Sequence, residues 1–167
     1  MLKYLNTEVT FAEIPDEVTL CINITGCTNH CKGCHSQFLW EDTGIPLDED
    51  ALVSLMLDNK GVSCVCFMGG DQDPAYINWL AQLIRGMWTD ESDKGSWVDV
   101  KIAWYSGAST ISPEINLENF DYIKIGPYME ERGGLDNPKT NQMLLRIDHL
   151  DGHIYKVDIT SKFWKYE

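Results

Sequence analysis

The chain has 167 residues, the length of one domain, and 44% of them are apolar, which is enough for a buried core and excludes disorder for its bulk. Asp and Glu number 26 against 13 Lys and Arg, a net charge of −13 that repels phosphate backbones and anionic lipid and argues against nucleic-acid or membrane-surface partners. No apolar run is long enough to span a membrane, and the opening Met1-Leu2-Lys3-Tyr4 has neither the apolar core nor the cleavage site of a signal peptide, so a cytosolic protein is expected.

In chain order, residues 18–25 alternate, with Val18, Leu20, Ile22 and Ile24 on one side, and predict a strand ending at Gly26. A cysteine-rich loop follows directly. Asp48 opens a helix carrying Leu52, Leu55 and Met56 at helical spacing, and Asp58-Asn59-Lys60-Gly61 stops it. Residues 62–68 predict a second strand, ending at Gly69-Gly70-Asp71. Pro74 suits the first turn of a helix whose apolar face is Ile77, Leu80, Ala81, Ile84 and Met87. The polar stretch 89–96 reads as a loop. Residues 98–105 predict a third strand ending at Ser106-Gly107, residues 109–120 a short helix or turn region, and residues 122–125 a fourth strand ending at Gly126-Pro127. Segments 143–147 and 154–159 predict a terminal hairpin or strand pair, and the aromatic tail Phe163-Trp164-Lys165-Tyr166 is suited to docking on the body or on a partner.

Strands alternating with helices imply an α/β fold, a single domain over residues 1–167 with a mainly parallel sheet. In such folds, loops at the carboxyl ends of the strands bind ligands. A closed eight-strand barrel takes about 250 residues, so this chain reaches part of one. Four strand ends on one edge would surround one site.

The six cysteines are Cys21, Cys27, Cys31, Cys34, Cys64 and Cys66. In a reducing compartment they are not expected to form structural disulfides. Cys21, Cys64 and Cys66 lie within strands and read as small apolar core residues. Cys27, Cys31 and Cys34 fall within eight residues as C-x3-C-x2-C, a density that reads as metal chemistry. Three thiolates can hold three irons of a cubane cluster and leave the fourth iron open to a small molecule, whereas iron–sulfur clusters otherwise take four cysteines. The competing arrangement is a Cys3His zinc site using His30 or His35 in an interaction module. A third is a ferredoxin-type electron carrier, which would need one more cysteine ligand.

These residues resemble the radical S-adenosylmethionine (SAM) superfamily, and more closely the activating proteins of anaerobic, glycyl-radical ribonucleotide reductases. The resemblance rests on Thr25-Gly26-Cys27, Cys31-Lys32-Gly33-Cys34-His35, Met68-Gly69-Gly70-Asp71, Tyr105-Ser106-Gly107, Ile125-Gly126-Pro127-Tyr128 and Asn141-Gln142. It implies an incomplete parallel β/α barrel and a [4Fe–4S] cluster on Cys27, Cys31 and Cys34. It implies SAM held by Gly33, Cys34 and His35 at the adenine, by Gly69 and Gly70 at the methionyl part, by Asp71 at the ammonium and by Ser106 at the ribose or carboxylate. It further implies an electron donor of flavodoxin or ferredoxin type and, as substrate, a glycine of the class III (anaerobic) ribonucleotide reductase. Another glycyl-radical enzyme is the alternative substrate. The cofactor would carry the chemistry, and no side chain is nominated as a general acid or base. Gly33 stands where many superfamily members have an aromatic residue, and Asp71 where glutamate is common.

Overall fold

A computed structural model describes residues 1–87 and 99–165. The predicted loop at 89–96 and the start of the third predicted strand lie outside the described residues. The strands are β1 (Lys3–Thr10), β2 (Thr19–Ile24), β3 (Ile45–Pro46), β4 (Cys64–Met68), β5 (Lys101–Tyr105), β6 (Tyr122–Ile125), β7 (Met143–Leu150) and β8 (His153–Asp158). The helices are α1 (Glu49–Asp58) and α2 (Pro74–Met87). Among the described residues no helix is long and apolar enough to cross a membrane.

All eight strands join one open sheet in the order β3-β1-β2-β4-β5-β6-β7-β8. The pairings β2–β4, β4–β5 and β5–β6 are parallel, as the alternation of strands and helices predicts. The flanks are antiparallel, so the sheet is mixed rather than mainly parallel. The amino-terminal strand β1 runs back along β2, and β7 and β8 form a hairpin. Its turn is Asp151-Gly152, at φ of 52° and 75°, the left-handed pair that a two-residue hairpin turn needs. Region 109–120 has a single 3-10 turn, Leu117–Asn119, where a helix or turn was predicted.

Helix α1 starts at Asp48, whose carboxylate accepts the Ala51 N–H at 2.9 Å and so satisfies one of the unpaired amides of the first turn. The apolar faces of α1 and α2 (Leu52 and Met56; Ile77, Leu80, Ala81 and Ile84) pack on Leu20, Ile22, Val65, Phe67, Ile102 and Trp104. Both helices therefore cover the same face. The alternate strand residues point the other way, where Cys21, Cys64, Cys66, Ala103, Tyr122 and Leu144 meet Ile14, Ile159 and Phe163. That second layer is built from connecting segments and the carboxyl-terminal turn, where Phe163 of the aromatic tail packs on the body; Tyr166 lies outside the described residues.

Register carries the fold over to the site. Asn23 pairs with Met68, Met68 with Tyr105, and Tyr105 with Lys124, so one cross-strand row passes through all four parallel strands on the helix-free face. That row sits at the carboxyl ends of the strands, one step below the loops that the sequence marked.

Candidate cofactor site at the strand ends

A cavity of about 1070 Å³ opens over these strand ends. Cys27, Cys31, Cys34, His35, Gly69, Asp71 and Ser106 line it. Gly33 and Gly70 do not. A β-carbon on Gly33 would lie 3.0–3.3 Å from Glu130, and one on Gly70 would lie 2.5 Å from Ile77 Cδ1 and 3.2 Å from Leu2 Cδ1. Gly33 therefore lets the segment after β6 seat on the cysteine loop, and Gly70 lets the β4–α2 turn seat on α2. Both hold positive φ, 75° and 92°, which glycine adopts without steric cost.

The cysteine loop is tied at its base. Gly26 N–H bonds Glu41 O at 3.2 Å and Cys27 N–H bonds Leu39 O at 3.1 Å. Gln72 donates to Thr25 O at 2.7 Å, and the Thr25 hydroxyl to Thr43 O at 2.6 Å. Within the loop, Cys34 N–H returns to Cys31 O at 3.1 Å, and Ser36 N–H points at Cys34 Sγ at 3.3 Å. The His30 ring stacks on Trp40 with centroids 4.6 Å apart, and His35 meets the edge of Tyr128 at 5.5 Å.

Asp71 is the polar hub. Its Oδ1 accepts the Ser106 hydroxyl at 2.5 Å; its Oδ2 accepts Gly107 N–H and Asn29 Nδ2–H, both at 2.8 Å. A carboxylate has about four acceptor positions, so about one remains free. The Ser106 hydroxyl also accepts Ala108 N–H at 3.0 Å, so it serves the chain before any ligand. Trp104 donates Nε1–H to Gly69 O at 2.8 Å and fixes that turn from the helix side.

Beneath Asp71 lies Lys124, only 8% exposed. Its ammonium donates to Gly126 O at 2.8 Å and to Ser106 O at 3.0 Å. Burial pulls its pKa down to about 8, against the opposing pull of Asp71 and then of the thiols of Cys31, Cys34 and Cys27. Glu13, on the segment after β1, also lines the cavity. Burial and the neighbouring Glu8 raise its pKa, while Tyr105 and Lys124 offset the rise. The Tyr105 hydroxyl donates to Glu13 O. Lys124, Glu13 and Asn29 were not singled out by the sequence, and Tyr105 entered only as part of the Tyr105-Ser106-Gly107 motif. A lysine in a strand reads as a solvated position until the neighbouring strands are known.

The six thiols divide into two sets. Cys21, Cys64 and Cys66 are fully buried, and burial raises the pKa of each, that of Cys21 to about 12. Cys27, Cys31 and Cys34 are partly exposed, unpaired and face one cavity. As donors, three thiols on one loop fit an iron–sulfur cluster bound through three irons, since soft thiolates select such clusters and zinc. Among the described residues, no three His, Cys, Asp or Glu side chains are gathered as they would be around a single metal ion. The His30 and His35 rings pack against Trp40 and Tyr128.

Comparison with family models, with curated proteins and with solved structures found no match to this chain.

Proposed function

We propose that the chain is an iron–sulfur radical SAM activase that generates the glycyl radical on an anaerobic ribonucleotide reductase, in the cytoplasm of an anaerobic or facultative cell. The observation that carries the reading is the convergence of Cys27, Cys31 and Cys34 with Gly69, Asp71 and Ser106 on one cavity at the ends of four parallel strands. On this reading the parallel centre of the open sheet, β2-β4-β5-β6, stands for the incomplete parallel barrel that the resemblance implies, with antiparallel strands added on both sides. Cys27, Cys31 and Cys34 would hold a [4Fe–4S] cluster and leave one iron for the amine and carboxylate of SAM. Held there, the cluster would supply one-electron reduction of SAM, with the electron drawn from a flavodoxin- or ferredoxin-type donor, and so the radical chemistry that removes a hydrogen atom from a glycine of the reductase.

The chain's own part is to bind, orient and exclude water. Asp71 offers its remaining acceptor position to the ligand ammonium. Lys124 places positive charge under a cavity that would hold thiolates and a carboxylate, which favours both in a protein of net charge −13. Gly69 has a backbone oxygen of Ile24 3.2 Å from where a β-carbon would sit, so the turn stays thin at the cavity wall. Tyr128, Leu135 and Phe163 give the cavity an apolar part to its wall.

The test is anaerobic reconstitution with iron and sulfide followed by a SAM-cleavage assay in the presence of a one-electron reductant. The expected result is iron and acid-labile sulfide in equal amounts, with 5′-deoxyadenosine formed by the wild type and none by Cys31→Ala. Zinc without sulfide, or full activity in Cys31→Ala, would overturn the reading.

A further inference from the structure

One chain of hydrogen bonds crosses all four parallel strand ends. It runs from Lys124 Nζ on β6 to Ser106 O after β5 at 3.0 Å, from the Ser106 hydroxyl to Asp71 after β4 at 2.5 Å, and from Asn29 Nδ2 after β2 to Asp71 at 2.8 Å. Its last member, Asn29, lies inside the cysteine loop, between Cys27 and Cys31. The ties described at residues 25–27 hold the base of that loop, whereas Asn29 reaches across the cavity mouth to the loops of other strands.

From this geometry we infer that Asn29 is the positioning residue of the metal loop: its amide, held by Asp71, sets where Cys27 and Cys31 stand. The inference rests on the cluster-binding reading above. Gly107 supports it independently. A β-carbon there would run into Asn29 Nδ2, with Asn29 Cγ at 3.1 Å and Asp71 Oδ2 at 3.4 Å. Gly107 is not at positive φ, so the need at this position is room for the Asn29 amide rather than backbone freedom. Its own N–H completes the same carboxylate at 2.8 Å. Asp71 thus joins three loops, and among the described residues the Asn29 bond alone connects the metal loop to that hub by a side chain. Groups hydrogen-bonded to metal ligands are worth about 10–100-fold in metal affinity; Asn29 acts one step further out, through the loop backbone it shares with Cys27 and Cys31 and its bond to Asp71.

The experiment compares wild type, Asn29→Ala, Gly107→Ala and the double variant after anaerobic reconstitution. Iron release to a ferrous chelator is followed as a rate, and the melting temperature is measured on the metal-free chains. Asn29→Ala is expected to release iron about 10-fold faster or more, with the metal-free melting temperature unchanged within error. Gly107→Ala is expected to do the same by pushing the amide aside, and the double variant to be no worse than the more affected single one, because both break one link. Release from Asn29→Ala at the wild-type rate would overturn the inference. So would multiplicative effects in the double variant, or a fall in melting temperature that accounts for the faster release. If the wild type itself takes up no iron and sulfide, it is the cluster reading that fails, a result distinct from every one of these.

Discussion

Replacing Gly70 with alanine tests whether that glycine serves the helix packing or the ligand. At φ of 92° an alanine incurs the left-handed penalty of about 1–2 kcal/mol. Its β-carbon would also stand 2.5 Å from Ile77 Cδ1 and 2.8 Å from Cγ1, both of a fully buried side chain, and overpacking costs about 1–3 kcal/mol. The sum is about 2–5 kcal/mol. Gly61 is the control: its φ is 97°, and a β-carbon there meets nothing within 4 Å, so Gly61→Ala carries the backbone part alone, about 1–2 kcal/mol. In a chain of this length each kcal/mol moves the melting temperature by about 2–4 °C. Thermal and urea unfolding of Gly70→Ala, Ile77→Ala and the double variant then form a cycle. Ile77→Ala alone leaves a hole and costs about 2–5 kcal/mol, and the added methyl of Gly70→Ala should refill part of it. The expected coupling is at least 1 kcal/mol in favour of the double variant. Additive losses within about 0.5 kcal/mol, or equal losses for Gly70→Ala and Gly61→Ala, would refute the packing argument and return Gly70 to the ligand.

Other perturbations follow from the same geometry. Alkylation of the native, metal-free chain at pH 8 should leave Cys21, Cys64 and Cys66 unmodified until the chain is unfolded, since a pKa of about 12 leaves Cys21 with about one thiolate in 10⁴ and burial blocks access; peptide mass spectrometry that finds any of the three labelled in the folded chain would contradict the assignment of the layers. Lys124 has its pKa lowered to about 8, so its charged form burdens the fold below pH 8 and the burden is lifted as the pH rises toward the unfolded value of about 10.4. The stability of the wild type relative to Lys124→Met should therefore climb by up to about 3 kcal/mol from pH 8 to 10.5, and a difference independent of pH in paired urea titrations would rule out the buried ammonium. Trp104→Phe removes the bond to Gly69 O and should cost about 1–3 kcal/mol by urea unfolding, more than ring shrinkage elsewhere at a surface; no loss would mean that the Gly69 turn does not depend on it.

Much of the frame was legible from local chemistry. Strand β2 alternates and stops at Gly26, α1 has its Asp48 cap, and Pro74 opens α2, each of which is a signal within a few residues. Strand β1 carries no such signal. Its Lys3, Asn6, Thr7 and Glu8 break the apolar alternation because the strand lies near the sheet's edge, with much of both its faces exposed. Strand β3, of two residues, is too short to show a period. The cysteine loop announced itself by spacing, but the partners of that loop did not. Asn29, Asp71, Ser106 and Gly107 meet only when three strands are set in register, and Lys124 becomes a buried cation only when its neighbours close around it. The glycines show the converse: Gly33 and Gly70 stand in the expected motifs, yet their missing side chains make room for Glu130 and Ile77.

The two faces of the sheet are secured by different kinds of structure. One is clamped by regular helices whose amides are paired internally; the other is roofed by turns and a terminal segment whose amides are paired one at a time. Opening the roof costs less than lifting a helix. Exchange with heavy water should therefore begin over the cavity, before the helical side gives way.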